Sequence, residues 1–443
     1  MNREYPKLLI ADKHYKVYDL PLEATGMKGG EFFALRRGDL IKLPEDSEMF
    51  VLPSRSPVGY DSRARRFLKI EKDPFAKKEE PCYAVAAFLA PGYTTTCSAS
   101  YAEIGSPRVL PLFSYAAVAF YKGGFYAAGV RVDSEKRQRL RGMDPALIRS
   151  NVKLFRKIFP KNRLVKHLEG CALVYGCPAA KNFFLKRYEC PLPTSPGCNA
   201  FCMGCISYQP DKSCEITQPR IKFVPSAEEV AEVALFHIGK VKDPVVSFGQ
   251  GCEGEPLMVS DVLEKAIRII RRSTQKGVIN LNTNASKPHA IGRLFDAGLD
   301  SIRVSMNSLQ ERFYNMYYKP RGYSFKDVMG SIKIAKRKKR FVSINYLVMP
   351  GFTDSKDEVR DLVKFLRKNS ADMIQWRNLN YDPLVYFRKM KARVEKKDMM
   401  GIDVLIRKVR SEFPGVMHGY FNPSRRRMRR FKEKVVRPQF QER

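Results

Sequence analysis

The residues best equipped for chemistry are three cysteines, Cys198, Cys202 and Cys205, spaced C-x3-C-x2-C. At that spacing three thiolates can turn toward one point and hold three irons of a four-iron cubane, leaving the fourth iron without a protein ligand. An open iron is a place where a small molecule can bind and react. Ferredoxin-type runs bring a fourth cysteine that closes the cluster, and zinc knuckles bring two C-x2-C pairs, so the spacing argues against both. Four further thiols flank the triplet: Cys171, Cys177, Cys190 and Cys214. They read either as ligands of an auxiliary iron–sulfur cluster or as scattered core residues, since free cysteine is among the most buried residue types. Cys82 and Cys97 read as ordinary buried thiols.

Downstream, residues 247–257 run Ser-Phe-Gly-Gln-Gly-Cys-Glu-Gly-Glu-Pro-Leu. Glycines let a backbone approach a ligand closely, Glu255 supplies an acceptor for an ammonium group, and Pro256 fixes the turn. Cys252, inside this stretch, either faces a ligand or packs behind the loop. Ser305 and Asn307 alternate along an extended run and so share one face, where a hydroxyl and an amide can bind a diol or a carboxylate. Arg377 offers a bidentate fork for a carboxylate or else makes a rim salt bridge, while the neighbouring Trp376 packs outward. No phosphate-cradling loop, Ser/His/Asp set or paired-carboxylate pattern is visible. The five histidines, His14, His167, His237, His289 and His418, form no ligand spacing.

Taken in order, these stretches resemble the signature of the radical S-adenosylmethionine (SAM) enzymes. The triplet is similar to that family's cluster motif, although Gly204 stands where an aromatic residue is common. Gly254-Glu255-Pro256 resembles the family's Gly-Gly-Glu-Pro motif, with Glu253 in the place of the first glycine. Thr283-Asn284-Ala285 is similar to a Thr-Asn-Gly turn, Ser305 and Asn307 to the ribose motif, and residues 345–351 suit a stacked adenine through exposed backbone amides. The resemblance spans residues 187–383. It implies a [4Fe–4S] cluster on Cys198, Cys202 and Cys205, with SAM chelating the fourth iron. It further implies SAM contacts from Gly254, Glu255, Pro256, Asn284, Ser305, Asn307 and Arg377. An electron donor such as flavodoxin or ferredoxin would drive cleavage of SAM to a 5′-deoxyadenosyl radical. Fold and cofactor do not disclose the substrate.

The elements that must position these residues alternate strand and helix. Strands are expected over 188–192, 245–250, 278–284, 301–307, 341–349 and 373–380, with helices between them, two opened by the capping boxes Ser226-Ala227-Glu228-Glu229 and Ser355-Lys356-Asp357-Glu358. On its apolar helix face His237 reads as packed. Six such units predict an α/β fold, a partial (β/α)6 TIM-like barrel in which ligands sit at the carboxyl ends of the strands. Residues 1–145 read as a β-rich N-terminal domain of short apolar runs between Gly, Pro and charged turns, with Lys122-Gly123-Gly124 suiting a hairpin. Residues 146–186 form a cysteine-containing connector that opens with a helix over 145–159. Residues 384–443 form a basic C-terminal extension. Its last stretch carries Arg425, Arg426, Arg427, Arg429, Arg430, Lys432 and Lys434, read either as a solvated end or as a polyanion-binding arm.

The 443 residues include 80 Lys and Arg against 46 Asp and Glu, a net charge of +34. A charge of that size favours polyanionic partners, RNA first among them, or else a generally basic solvated surface. Three functions follow: a radical SAM enzyme modifying RNA, one modifying a peptide with an auxiliary cluster, or a non-catalytic iron–sulfur protein that binds nucleic acid. No apolar run approaches membrane-spanning length, and the N-terminal residues lack the apolar core of a signal peptide, so a cytoplasmic location is expected.

Overall fold

A computed structural model describes residues 5–369 and 371–436. Residues 1–4 of the N-terminal stretch, residues 437–443 of the basic tail and the side chain of Lys434 lie outside the described residues.

Seven parallel strands form an open half-barrel in sequential order: Glu189–Pro191, Val245–Phe248, Val278–Thr283, Ser301–Met306, Phe341–Val348, Met373–Asn378 and Met417–Gly419. The first six are the expected units. The seventh corrects the reading of residues 384–443 as a mere extension, because Met417 to Gly419 pair with Met373 to Gln375 and lengthen the sheet by one strand. Three residues ending in glycine are too short to show a pattern of alternation.

Along the strands the side chains alternate in an unusual way. One parity, including Val246, Phe248, Leu281, Ile302, Val304, Ile344 and Ile374, is fully buried and joins the main core beneath the helices. The other parity is polar: Ser247, Asn280, Asn282, Arg303, Ser305, Asn345, Gln375 and Arg377. A parallel sheet covered on both faces normally reads as continuous apolar runs. Here the concave face is set aside for polar groups, which hydrogen-bond across strands, Ser301 to Asn280 at 2.8 Å, and to the segment after the seventh strand, Gln375 to Asn422 at 3.0 Å.

The helices that cover the convex face follow from their caps and apolar stripes. We number them in chain order: α1 (Pro145–Ile158), α2 (Arg163–Leu173), α3 (Pro178–Phe184), α4 (Ala227–Lys240), α5 (Ser260–Ser273), α6 (Pro288–Ala297), α7 (Glu311–Tyr318), α8 (Phe325–Arg337), α9 (Lys356–Asn369), α10 (Pro383–Met390), α11 (Ile402–Glu412) and α12 (Arg425–Val436). Ser226 caps α4 in a full capping box with Glu229. The connector is a three-helix layer, α1 to α3, docked on α4 through Asn162, which donates to the Glu229 carbonyl at 3.0 Å. His237 is buried on α4 with its Nε2 3.3 Å from the Tyr188 carbonyl, a packed histidine.

The N-terminal domain is a 13-stranded antiparallel sheet with a separate two-stranded ribbon, Tyr93–Thr95 against Gly129–Arg131. The hairpin Ala116–Tyr121 to Gly124–Ala127 turns through Lys122 and Gly123, both at positive φ (46° and 73°), as a type I′ turn requires. The ribbon seats on the sixth barrel strand, where Thr94 donates to the Trp376 carbonyl at 2.7 Å and the Thr95 amide to Asn378 at 2.8 Å. Two buried carboxylates fasten the junction. Asp382 accepts from Arg55, the Tyr101 hydroxyl and the Leu110 amide. Asp133 accepts from the Tyr420 amide and from Arg427.

The described part of the basic tail, to residue 436, is not a free solvated end. Its residues form α12, which lies across the amino ends of the barrel strands. Arg425 bonds the Gly277 carbonyl and Asp300, Arg426 pairs with Asp243, and Arg427 pairs with Asp133. Arg429, Arg430 and Lys432 stay exposed. No helix among the described residues is long and apolar enough to cross a membrane.

Because Asp382 is fully buried against Arg55, Asp382→Ala leaves that charge uncompensated and is expected to destabilise by about 3–5 kcal/mol. Glu103→Ala breaks the half-exposed pair with Arg388 and should cost no more than about 1 kcal/mol. Comparison of urea unfolding midpoints checks both.

Candidate active site

The cysteine loop, residues 192–226, leaves the carboxyl end of the first strand and is held from two sides. On one side Gly254 donates to the Ser195 carbonyl at 2.6 Å and Glu255 to the Gly197 carbonyl at 2.8 Å. On the other, Phe201 and Met203 donate to the Tyr318 and Tyr317 carbonyls at 2.9 Å, and Arg321 donates to Asn199 at 2.8 Å. The loop is thus laid like a strand between the turn after the second barrel strand and the end of α7. Residue 254 must be glycine: a Cβ there would sit 1.9 Å from the Gly197 carbonyl oxygen, a backbone atom that cannot swing aside.

Glu253, which interrupts the expected glycine pair, is a strap. Its Oε2 accepts from the Thr194 amide and hydroxyl and the Ser195 amide, and its Oε1 from the Gly249 and Gln250 amides, all within 2.7–3.1 Å. One buried carboxylate therefore ties the root of the cysteine loop to the end of the second strand. Burial pushes its pKa up, against the pull of those amides. Glu255 does the same one turn on. Its Oε1 accepts from the Leu257 amide and the Thr283 hydroxyl, and its Oε2 from the Asn284 amide at 2.8 Å. Each carboxylate oxygen has two acceptor positions, so Oε2 keeps one open. Burial, with Glu253 adding, pushes Glu255 up to about 7. Pro256 opens the short 3-10 turn that Glu255 caps.

Asn284 completes the circuit by donating to Asn199 of the cysteine loop at 2.8 Å. Ala285, where the resemblance would place glycine, adopts φ +57°, a left-handed conformation that costs a non-glycine residue about 1–2 kcal/mol. Gly254, Glu255, Pro256 and Asn284 are thus brought together around the cysteines.

The triplet itself is half-buried. Arg220 points a guanidinium Nη2 at the Cys205 sulfur, 3.4 Å away. Burial, with Glu255 adding, pushes the Cys198 thiol up to about 11, and burial pushes Cys202 well above its ordinary range. Unmetallated, these two sulfurs keep their protons, so only a strongly electropositive occupant would draw thiolates from them. The three sulfurs do not gather within 4.8 Å of one another as the ligands of one ion would, which suits the wider span of a polynuclear cluster. Gly204 is explained by α7: the Tyr317 hydroxyl lies 2.8 Å from where a Cβ would stand, so the aromatic ring comes from another element.

Ser305 and Arg377 project into the polar lumen with Arg303, Asn345 and Gln375. Arg377 stacks on Tyr420 at 4.0 Å and donates to its carbonyl at 3.1 Å, so it is no rim salt bridge. Burial, with Arg377 adding, lowers Arg303 to about 9. Arg303 Nε and Asn345 Oδ1 are buried with no protein partner, as atoms that await a ligand or water are. The donor set and these orphaned atoms fit a cluster and a polar ligand in the lumen. Asn307 lies one residue beyond the strand end and is fully buried, its amide donating to the Phe313 carbonyl at 3.3 Å and its Oδ1, like that of Asn345, without a hydrogen-bond partner. The backbone expected to meet an adenine is already engaged, Met349 with Thr353 and Gly351 with Asp354, while the Gly29 amide of the N-terminal domain donates to the Pro350 carbonyl. Trp376 is fully buried, donating to His418 at 2.9 Å.

The four flanking thiols do not converge, which corrects the expectation of one auxiliary set. Cys190 is sealed inside the first strand with its sulfur 3.6 Å from the Pro191 carbonyl, and Cys214 lies near Asp211 and Lys389 beyond the triplet. Cys171 instead meets Cys252 and His167, and Cys177 stands beside them. Cys252 has no sequence spacing that announces this, whereas His167 stands four residues before Cys171 on one helix. Glu253 had a local signal: an acid among glycines whose amides need acceptors.

Gly254→Ala should prise the cysteine loop from its seat, costing at least the about 1–3 kcal/mol of overpacking and exposing residues 192–226 to protease. Gly197→Ala meets nothing within 4 Å and should stay within about 0.5 kcal/mol of wild type. Thermal unfolding and limited proteolysis of the two variants check this.

Residues 192–366 match the radical SAM superfamily. Among curated proteins the chain is 34% identical over 121 residues to a probable GTP 3′,8-cyclase of Pyrococcus horikoshii, covering 27% of this chain and 36% of that protein. It is 27% identical over 179 residues to the FeMo cofactor biosynthesis protein NifB of Klebsiella pneumoniae, covering 37% of this chain and 38% of that one. The chain thus spans little more than a third of the length of these relatives. Among solved structures, HydG, a maturase of the [FeFe]-hydrogenase, aligns at a TM-score of 0.39 and 16% identity over 66% of this chain and 69% of that one. By that family match, and with the matching motifs following one another at successive strand ends, residues 192–366 are a radical SAM domain, its subfamily unassigned.

Proposed function

We propose that the protein reductively cleaves SAM at a [4Fe–4S] cluster held by Cys198, Cys202 and Cys205, in the cytoplasm, with an electron from a flavodoxin- or ferredoxin-type donor. The observation that carries this reading is the hydrogen-bonded seating of the cysteine loop on Gly254 and Glu255, at the carboxyl end of a half-barrel whose lumen is polar. When bound, the cluster and SAM would supply a 5′-deoxyadenosyl radical for hydrogen abstraction. The chain's own residues bind and orient. The remaining acceptor position on Glu255 Oε2 suits an ammonium, and an ammonium there would hold Glu255 ionised against its raised pKa. Ser305, Asn345 and the guanidinium groups of Arg303 and Arg377 offer donors and acceptors to a carboxylate, a ribose or a substrate.

For the substrate we favour RNA over a peptide. The peptide reading leaned on an auxiliary cluster whose proposed thiols lie apart. On the cluster's side of the barrel, a groove of about 820 Å³ runs between the segments that follow the fourth, fifth and sixth strands, lined by Phe313, Phe352, Phe387, Arg312, Lys391 and Arg393; its acids are Asp357 and Asp398, paired with Arg360 and Lys356, and the buried Glu358. Arg312, Lys391 and Arg393 are exposed and have no carboxylate partner among the described residues. Unpaired cations interleaved with aromatic rings suit a ribose-phosphate chain.

Anaerobically reconstituted protein, reduced in the presence of SAM, should yield 5′-deoxyadenosine, and a Cys198→Ala/Cys202→Ala/Cys205→Ala variant should yield none. An intact cluster that forms no 5′-deoxyadenosine sinks the proposal. Binding to mixed RNA should weaken by orders of magnitude between about 50 and 200 mM salt, and charge reversal at Arg312, Lys391 and Arg393 should lower the slope of log affinity against log salt by about one per residue. A flat salt response, or an unchanged slope in the variant, would leave the groove without its role.

A further inference from the structure

We infer that His167, Cys171 and Cys252, with Cys177 as the adjacent fourth ligand, form a mononuclear tetrahedral site for a zinc-class divalent cation, separate from the triplet. His167 and Cys171 are four residues apart on α2 and so share one face of that helix. Cys252 reaches the same point from the loop after the second barrel strand. The Nε2 or Nδ1 of the histidine and the two sulfurs all lie within 4.8 Å of one another, the one such group of three among the described residues. Cys177 caps α3 without using its side chain there, and its amide donates to the Cys171 carbonyl at 2.9 Å.

The spacing decides between one ion and a cluster. With Zn–S near 2.3 Å and Zn–N near 2.0–2.1 Å, the edges of a tetrahedron are about 3.6 Å from sulfur to nitrogen and about 3.8 Å between sulfurs. The Cys171 sulfur stands 3.5 Å from His167 Nε2, the first of those edges. A four-iron cubane would hold its thiolates further apart than this group allows. Soft sulfur with imidazole in a tetrahedral arrangement selects zinc over calcium or magnesium. Cys171 and Cys252 are both 2% exposed, while His167 and Cys177 are partly buried, so two of the four ligands lie inside and two near the surface, and a full set of four protein ligands would leave no open position, as in structural zinc sites. On binding, each cysteine thiol gives its proton to solvent and forms a sulfur–metal bond, with no change of oxidation state.

The site would join two parts of the protein. α2 belongs to the connector layer, and Cys252 directly precedes Glu253, the strap under the cysteine loop. A cation here staples the connector to the back of the loop that carries Gly254 and Glu255, without touching the triplet.

The test is metal analysis of tag-free, full-length protein made in zinc-supplemented medium and purified anaerobically. Wild type should hold about one zinc per chain with sulfur and nitrogen neighbours at roughly 2.3 and 2.0–2.1 Å by X-ray absorption at the zinc edge. His167→Ala and Cys171→Ser should each lose most of that zinc while iron stays unchanged. The Cys198→Ala/Cys202→Ala/Cys205→Ala variant should lose iron and keep zinc, so failure here and failure of the SAM reading are separate results. If the variants do not fold, the zinc content and edge spectrum of wild type decide alone. Wild type without zinc, zinc with an oxygen shell, a Cys171–Cys252 disulfide, or extra iron removed by Cys171→Ser would each overturn the inference.

Discussion

Two hydrogen bonds join the cysteine loop to the turn after the second barrel strand, from Gly254 to Ser195 and from Glu255 to Gly197, and both exist because residue 254 has no side chain. A 35-residue loop has a large entropy to lose before three sulfurs can converge. The backbone pairing fixes its path, and the buried carboxylates of Glu253 and Glu255 fix the turn it pairs with. Glu253 alone satisfies four backbone amides and a hydroxyl. Neutralising it would strand those donors in a dry interior, a larger penalty than the bonds themselves contribute. The site is therefore built by mutual satisfaction of backbone groups between successive strand ends, and the cysteines ride on that frame.

The lumen follows from the same constraint at larger scale. Polar residues on the concave face of a parallel sheet stabilise nothing by burial, and their partners must come from one another or from a ligand. Most are paired across strands, but Arg303 and Asn345 each keep an orphaned atom. An open half-barrel with such a face needs its free edge covered. The seventh strand extends it, and the N-terminal ribbon closes over the sixth through Thr94 and Thr95. Asp382 and Asp133 hold that cover in place from two points. The β-rich domain, which offers no catalytic motif of its own, thereby acts as a wall.

How much of this the sequence discloses depends on range. Six strands, the capping box at Ser226 and the triplet are local patterns and are legible in the chain, whereas Glu358, expected to box with Ser355, accepts from Ser308, Gln310 and Tyr346. The convergence of Glu255, Asn284 and Asn199 is nearly so, because each sits at a strand end where a barrel collects its ligands. Long-range exchanges are not legible. Tyr317 supplies the aromatic group that the position of Gly204 lacks, and no spacing in the sequence pairs residues 113 apart. Asn307 is legible only in part: alternation predicts its face only while the strand lasts, and the strand ends at Met306. Proximity in sequence groups the flanking cysteines, yet the fold sorts them by element, so that Cys171 meets Cys252 across 81 residues while Cys190 stays alone inside a strand.

Net charge is the property most easily over-read. The +34 is the excess that remains after every carboxylate is counted, yet the three consecutive arginines of the tail, Arg425 to Arg427, are bound to Asp300, Asp243 and Asp133 at the amino ends of the barrel. Those arginines hold a terminal helix against the sheet, so they cannot also clasp a polyanion near the cysteines. The groove at the carboxyl end holds three cations without a carboxylate partner among the described residues, Arg312, Lys391 and Arg393, scattered across two segments of the sequence. Unpaired charge on the side where the strand ends gather raises the local concentration of an anionic partner there, whereas paired charge on the opposite side does not. For the choice of substrate the distribution of the basic residues therefore outweighs their number, and it places their pull over the same end of the barrel as the triplet.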